Sequence, residues 1–288
     1  MIDSNLIGFV YNSLVLHAPD FVKSLVTKFD LAGRSWVSPA AELDKHIDQI
    51  KSTSVIVVAG GDGTILRTVR VVANYDIPIV AINMGRVGFM SELSVDEAEV
   101  RLPEYLENGL RVETRMMLEA SVRSNGQTEP RLVHHALNDV VVGRGSIARM
   151  LDIETTVDSV PLTSYRADAL IVSTATGSTG YALSAGGPIL YPETEIVLIQ
   201  PVAAHTGLRS GLILPASSII EIKASDEHEA VLSVDGFPDL ALHHDDTVTV
   251  KRSEHVARFI RAHPPNTFYR ALTRRLGLEP YPNRSAKN

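Results

Sequence analysis

The sequence predicts an α/β half followed by a β-rich half. Two apolar runs that never alternate, Val55–Ala59 and Ile77–Ile82, are separated by a helical pattern, as expected of parallel strands buried on both faces. From Arg111 to about Arg252, short strand-like segments follow one another and long helical patterns are absent. The change falls near Asn108-Gly109.

Taken in order, Leu6–Val10 is a short apolar run. Pro19–Phe29 carries Phe21, Val22, Leu25, Val26 and Phe29 at helical spacing, with Asp20 in the first turn. Trp36 and Val37 mark a weak strand, and Pro39–Ile50 reads helical. Strand Val55–Ala59, helix Thr64–Asn74 and strand Ile77–Ile82 follow. This alternation argues for a parallel sheet covered by helices. In the second half the expected strands are Met117–Arg123, Leu132–Val142, Leu151–Val157, Ala169–Ser173, Glu195–Ile199, Ile219–Ala224, Ala230–Val234 and Thr247–Val250. Asn125-Gly126 reads as a hairpin turn. The tail returns to helix: Asn266 is a suitable N-cap, Phe268, Ala271, Leu272 and Leu276 form one apolar stripe, and Gly277 sits where a C-cap belongs. Residues 279–288 read as a frayed tail.

Composition narrows the function. The chain has 288 residues, 44% hydrophobic and 21% charged, as in a soluble globular protein. No run of 18 apolar residues suggests a membrane span, and with Lys23 as the first lysine no charged leader region is expected. There is no cysteine, which excludes disulfides, thiolate zinc sites and a cysteine nucleophile and suits a cytoplasmic location. A formal net charge of −7 argues against a general nucleic-acid or anionic-membrane surface. An anionic substrate must therefore be met locally, by backbone amides, a few arginines or a metal ion.

One junction has that character. The strand ending at Ala59 runs into Gly60, Gly61, Asp62 and Gly63, and a helical pattern resumes at Thr64. Glycines leave amides uncovered, and the helix that follows presents free N–H groups and its positive dipole end. Thr64 adds a hydroxyl. Asp62 repels phosphate, so its expected role is to hold a metal ion or to take a proton from an attacking hydroxyl. The loop is neither a Walker A loop, since the chain has no Gly-Lys pair, nor a dinucleotide fingerprint, since Leu66 stands where a glycine is needed.

Further stretches carry the same chemistry. Asn83–Met90 (NMGRVGFM) is a second glycine loop after a strand. Asn138-Asp139 stands inside an apolar strand, and such a pair suits a vicinal ribose diol. Tyr165–Pro192 holds an apolar strand, the hydroxyl-rich run Thr174–Tyr181 and a Gly-Gly-Pro. His243-His244-Asp245-Asp246 has metal-binding residue types but precedes a strand and reads as a polar turn, so no metal ligand is firmly assigned.

GGDGT after a buried strand resembles the signature of NAD kinases, diacylglycerol and sphingosine kinases and 6-phosphofructokinases. With the Asn-x-Gly-x-x-Gly-Phe loop, the Asn-Asp pair and the Gly-Ser-Thr-x-Tyr block in order, the chain resembles the NAD kinase family from about Leu6 to Gly277. It departs from the family at Ala167 and Ala169, which replace glycines flanking Asp168, at Ala175, which replaces proline, at Gly180, which replaces alanine, and at Phe237, where many members have glutamine. The methyls beside Asp168 bear on the adenine or ribose contact.

The resemblance implies a Rossmann-like α/β domain, 1–108, joined by helix 265–277, and an all-β NAD-binding domain, 109–264, with a cleft between them. It implies transfer of the γ-phosphoryl of ATP, with Mg²⁺ or another divalent metal, to the adenosine-ribose 2′-hydroxyl of NAD; some members accept polyphosphate. Asp62 would be the catalytic carboxylate. Gly60, Gly61, Gly63, Thr64, Asn83 and Gly85 would line the phosphates. NAD would meet Asp62, Gly63, Arg67, Asn138, Asp139, Arg149, Arg166, Asp168, Thr176, Thr179, Gly180, Tyr181, Ala182, Leu183, Ser184 and His205. A homodimer or homotetramer, with site residues shared across subunits, is also implied. Another kinase with this loop, acting on a lipid or sugar, and a non-catalytic nucleotide-binding protein remain the alternatives.

Overall fold

The computed structural model describes residues 6–85, 88–107, 109–145, 150–224, 229–237, 240–244 and 246–278. It divides into two compact units: Met1–Glu113 with Arg258–Asn288, and Thr114–Ala257.

The first unit opens with β1 (Leu6–Tyr11), α1 (Ala18–Lys28), β2 (Ser35–Pro39), α2 (Ile47–Lys51) and β3 (Thr53–Gly60). It continues through α3 (Asp62–Val72), β4 (Ile79–Asn83), β5 (Leu93–Ser94) and α4 (Val95–Leu106). The strands run in the order β2-β1-β3-β4, each neighbouring pair parallel. β3 is buried from Val55 onward, which is why its sequence never alternates. Phe9, Leu25, Val57, Val80, Leu102 and Tyr105 share one core. Full burial of each such apolar side chain contributes about 1.5–3 kcal/mol. Trp36, on β2, is buried; its indole N–H donates to Thr53 Oγ1 at 2.9 Å and its ring stacks on His46 at 5.3 Å.

Two elements differ from the sequence reading. Pro39–Ile50 is not one helix but a tight three-residue-per-turn segment, Ala40–His46, followed by the short α2. Its buried residues, Ala40 and Leu43, are spaced three apart and so suit that tighter turn. α4 is not among the elements expected from the sequence. Its start is nonetheless written in the sequence as Ser94-x-x-Glu97: the Ser94 hydroxyl accepts the Glu97 N–H at 3.3 Å, and Glu97 accepts the Ser94 N–H at 2.8 Å.

The second unit is built from β6 (Arg111–Arg123) from Thr114 onward, β7 (Leu132–Ala136), β8 (Asp139–Arg144), β9 (Leu151–Val157), β10 (Val160–Ala167) and β11 (Ala169–Thr174). The short α5 (Tyr181–Ser184), β12 (Ile196–Val202), β13 (Leu212–Pro215), β14 (Ile220–Ala224), β15 (Ala230–Val234), β16 (Leu240–Leu242) and β17 (Thr247–Arg261) follow. One antiparallel sheet runs β13-β12-β11-β8-β15-β16. Strands β10-β9-β14-β17 form a second antiparallel run, and β6 pairs with β7 and β17. Leu118, Val140, Leu151, Tyr165, Leu170 and Ile222 pack together in its core.

Leu132–Val142 proves to be two strands broken at Leu137-Asn138. β10 escaped the reading because Val160, Pro161 and Ser164 are exposed, so no apolar face shows. The turn at Gly126 (φ +76°) is real but lies within the longer Ser124–Arg131 connection. The chain closes with α6 (Thr267–Arg275), which buries none of its residues. Asn266 precedes it without a side-chain capping bond. Gly277, at φ +65°, ends it as expected: its N–H reaches Arg274 O and the Leu278 N–H reaches Thr273 O at 2.8 Å. Residues 279–288 lie outside the described residues.

Candidate active site

In the first unit, the glycine loop joins β3 to α3 at the carboxyl ends of the parallel strands, where open α/β sheets bind ligands. Gly61 is the N-cap and Asp62 the first helical residue. The Thr64 and Ile65 N–H groups already donate to Gly61 O, at 2.9 and 3.2 Å, so the amides of Asp62 and Gly63 are the ones this helix start leaves for an anion. Thr64 is buried, with its hydroxyl packed against Gly60. Arg67 is exposed one turn further on.

The second glycine loop lies beside the first. Asn83 pairs with Gly60 across β4 and β3, and the Met84 N–H reaches Gly60 O. Asn83 shapes its own loop, its Oδ1 accepting the Gly85 N–H at 3.2 Å. Past Gly85 the chain returns to Asp62: the Phe89 N–H donates to Asp62 Oδ2 at 3.1 Å and the Met90 N–H to Oδ1 at 3.4 Å. Gly88 makes this approach possible, because a Cβ there would collide with the Asp62 carboxylate. Gly88 belongs to the Asn-x-Gly-x-x-Gly-Phe motif, but only this contact shows what it does. From α6, Arg275 Nη1 donates to Asp62 Oδ2 at 2.8 Å, and its guanidinium lies 4.1 Å over the Phe89 ring.

In the second unit, Asn138 lies in the break between β7 and β8, and Asp139 opens β8. Asp235, in the left-handed region at φ +52°, accepts the N–H groups of Leu137, Asn138 and Asp139 at 2.8, 2.7 and 3.1 Å. The hydroxyl-rich loop is strapped onto the same break. Thr174 Oγ1 donates to Leu137 O at 2.6 Å and accepts the Gly177 N–H at 3.0 Å, while the Thr174 N–H donates to Asn138 O. Thr176 is buried and accepts from Arg115 at 3.2 Å, and Thr179 Oγ1 donates to Thr176 O. Gly180 faces Asn138 and Asp139. Beyond it, the Tyr181 ring is 45% exposed, Ala182 is buried, Leu183 is half-buried and Ser184 is exposed. Asp139 is buried beside Asp235; burial first, and then the charge of Asp235, push its carboxyl up to about 7.

The other residues expected around adenosine do not join this cluster within one chain. Asp168 and Thr176 stand at opposite ends of β11, a six-residue strand, so about 20 Å of extended backbone separates them. Around Asp168 gather Arg144, whose guanidinium pairs with its carboxylate at 3.0 Å, and His205, whose N–H donates to Arg166 O at 2.8 Å. Arg166 is exposed. Arg149 lies outside the described residues. Among the described residues no three metal-ligating side chains gather. Asp246 accepts from Ser124, Arg131 and the His243 N–H, as a polar turn does.

The ATP-NAD kinase N-terminal domain profile matches residues 23–110, and the C-terminal domain profile matches residues 137–262. A NAD kinase of Dehalococcoides mccartyi is 39% identical over 94% of this chain and 95% of its own length. A NAD kinase of Geobacter sp. strain M21 is 41% identical over 79% of each chain. The chain belongs to the ATP-NAD kinase family. Solved structures agree in fold. Yeast NADH kinase complexed with NADH matches with a TM-score of 0.83 at 25% identity, covering 98% of this chain and 90% of that one. An Archaeoglobus fulgidus NAD kinase in complex with ATP matches with a TM-score of 0.72 at 26% identity, covering 96% and 100%.

Two departures from the ATP-NAD kinase pattern are absorbed by packing. Ala167 and Ala169 are 0% and 4% exposed, so their methyls fill the interior. A Cβ on Gly180 would lie 3.2 Å from Gly177 O and 3.7 Å from the Asn138 amide, so the family's alanine would nearly fit.

Proposed function

We propose that this chain transfers the γ-phosphoryl group of ATP to the 2′-hydroxyl of the adenosine ribose of NAD, giving NADP. The observation that carries this reading is Asp62, a carboxylate fixed at the amide-rich start of α3 in a chain of the ATP-NAD kinase family. Phosphoryl transfer asks mainly for positioning and for neutralisation of charge.

The first-turn amides of α3, with Gly60, Gly61, Gly63, Asn83 and Gly85, receive phosphate oxygens. Asp62 takes the proton of the acceptor hydroxyl. Asn138, Asp139 and the Thr176–Ser184 segment hold the nucleoside, with the exposed Tyr181 ring available for stacking on a base. A divalent metal fits this arrangement only with most of its ligands from ATP and water, which is the usual habit of Mg²⁺. Asp62 is the carboxylate beside the phosphate-binding amides. The metal would neutralise charge developing on the phosphates.

Arg166, Asp168 and His205 stand about 20 Å along β11 from the Asn138–Tyr181 cluster. We assign them to the site of a neighbouring copy in a homodimer or homotetramer. Among the described residues no helix is long and apolar enough to cross a membrane, and we place the activity in the cytoplasm.

The test is NADP formation by purified protein with Mg²⁺, ATP and NAD, with NADH and polyphosphate in parallel arms. Asp62→Asn should fold normally and lose turnover by about a thousandfold or more. An Asn variant that keeps most of the activity would refute the role of Asp62. Tight NAD binding without turnover in any arm would favour a binding protein instead.

A further inference from the structure

Asp62 faces a conflict set by its position. A carboxylate in the first turn of a helix is drawn toward that turn's free amides, and a short acidic side chain readily bonds them. Those amides are the groups a phosphate needs. Something must hold the carboxylate away from them.

In this structure both carboxylate oxygens are engaged by groups from outside α3. Met90 N–H takes Oδ1; Phe89 N–H and Arg275 Nη1 take Oδ2, the last at 2.8 Å. Arg275 makes the charge-assisted contact of the three, and such bonds are the stronger kind. The Phe89 ring lies 4.1 Å from the guanidinium and fixes its plane. Arg275 is the last residue of α6, where the helix dipole favours a cation, and Asp62 is the first of α3, where it favours an anion. Two helix ends of opposite polarity thus meet through this pair. No residue of α6 is fully buried, and Phe268, Ala271 and Leu272 are half-buried, so packing holds this helix less firmly than it holds α3.

We infer that Arg275 is a positioning residue: it aims the Asp62 carboxylate away from the first-turn amides and so keeps them free for the phosphates of ATP. This rests on the role proposed for Asp62. Without the guanidinium, only the Phe89 and Met90 N–H groups oppose the pull of the helix's own amides, so the carboxylate spends more time where it blocks the phosphate donor and loses its aim at the acceptor hydroxyl.

The experiment is steady-state kinetics on the full chain with Mg²⁺, ATP and NAD, comparing Arg275→Met, Arg275→Lys and Asp62→Asn, each with a melting curve. In Arg275→Met, kcat should fall about 10- to 100-fold and KM for ATP should rise, while KM for NAD and the melting temperature stay at wild-type values. Arg275→Lys, which keeps the charge but loses the planar stack, should recover part of the loss. Wild-type kcat and ATP KM in Arg275→Met would overturn the inference. So would no recovery with lysine, or a loss of rate that tracks a loss of stability. An inactive Asp62→Asn beside a fully active Arg275→Met would refute the positioning role alone; an active Asp62→Asn would refute the reading beneath it.

Discussion

Asp139 shows how much one carboxyl depends on its neighbours. Burial and the charge of Asp235 both oppose its ionisation, so the fold favours its protonated form, with the carboxyl pushed up to about 7. Stability from this group is therefore complete below the ordinary carboxylate range and declines as pH rises toward about 7. Asp139→Asn should remove that decline. Its melting temperature should match wild type near pH 4 and exceed it at pH 8; equal melting temperatures at both would show that the site does not titrate this way. At this scale the sequence told which residue types mattered but not what they touch. Asp62 was legible because a lone carboxylate among glycines has few structural uses. Arg275 was not, because its partner is 213 positions away and no local pattern joins a tail helix to a glycine loop. Asp235-Gly236 fits the family pattern, but nothing local shows that Asp235 accepts the N–H groups of Leu137, Asn138 and Asp139 nearly a hundred positions earlier.

Elements were legible where burial imposed a period. β3 and α3 flank the glycine loop where the apolar runs placed them, because both pack against the interior. α4 was missed despite its capping box: Pro103 interrupts the expected helical composition, although the helix continues to Leu106. Its reciprocal Ser94–Glu97 bonds make a specific test. Ser94→Ala should cost about 1 kcal/mol of stability, read by denaturant titration, with no change in KM for NAD. A loss above about 2 kcal/mol would mean that Ser94 does more than cap.

On the scale of the molecule, the first unit is closed by a polar network that no periodicity announces. Arg261 is buried and pairs with Glu92 and Glu113 at 3.2 Å each, while also donating to Met90 O at 3.0 Å. Glu92 further accepts the N–H groups of Ala262 and His263 and the Tyr105 hydroxyl. The returning chain is thus bonded to the residue whose amide holds Asp62. Removing Arg261 takes from Glu92 and Glu113 the buried guanidinium they share, although His263 at 2.9 Å and Arg111 at 3.1 Å stay beside them. Arg261→Met should therefore destabilise the chain by about 3–5 kcal/mol, measured by chemical denaturation. A neutral result would mean that water replaces the guanidinium.

The same unit holds the chain's single tryptophan, Trp36, buried on β2 against His46. Light absorbed at the red edge of the protein spectrum is therefore emitted from the α/β half alone. The β-rich half is silent at that wavelength, so fluorescence and circular dichroism recorded on one sample separate the melting of the α/β half from that of the whole chain. A variant that loosens only the β-rich half would shift the second signal and leave the first in place.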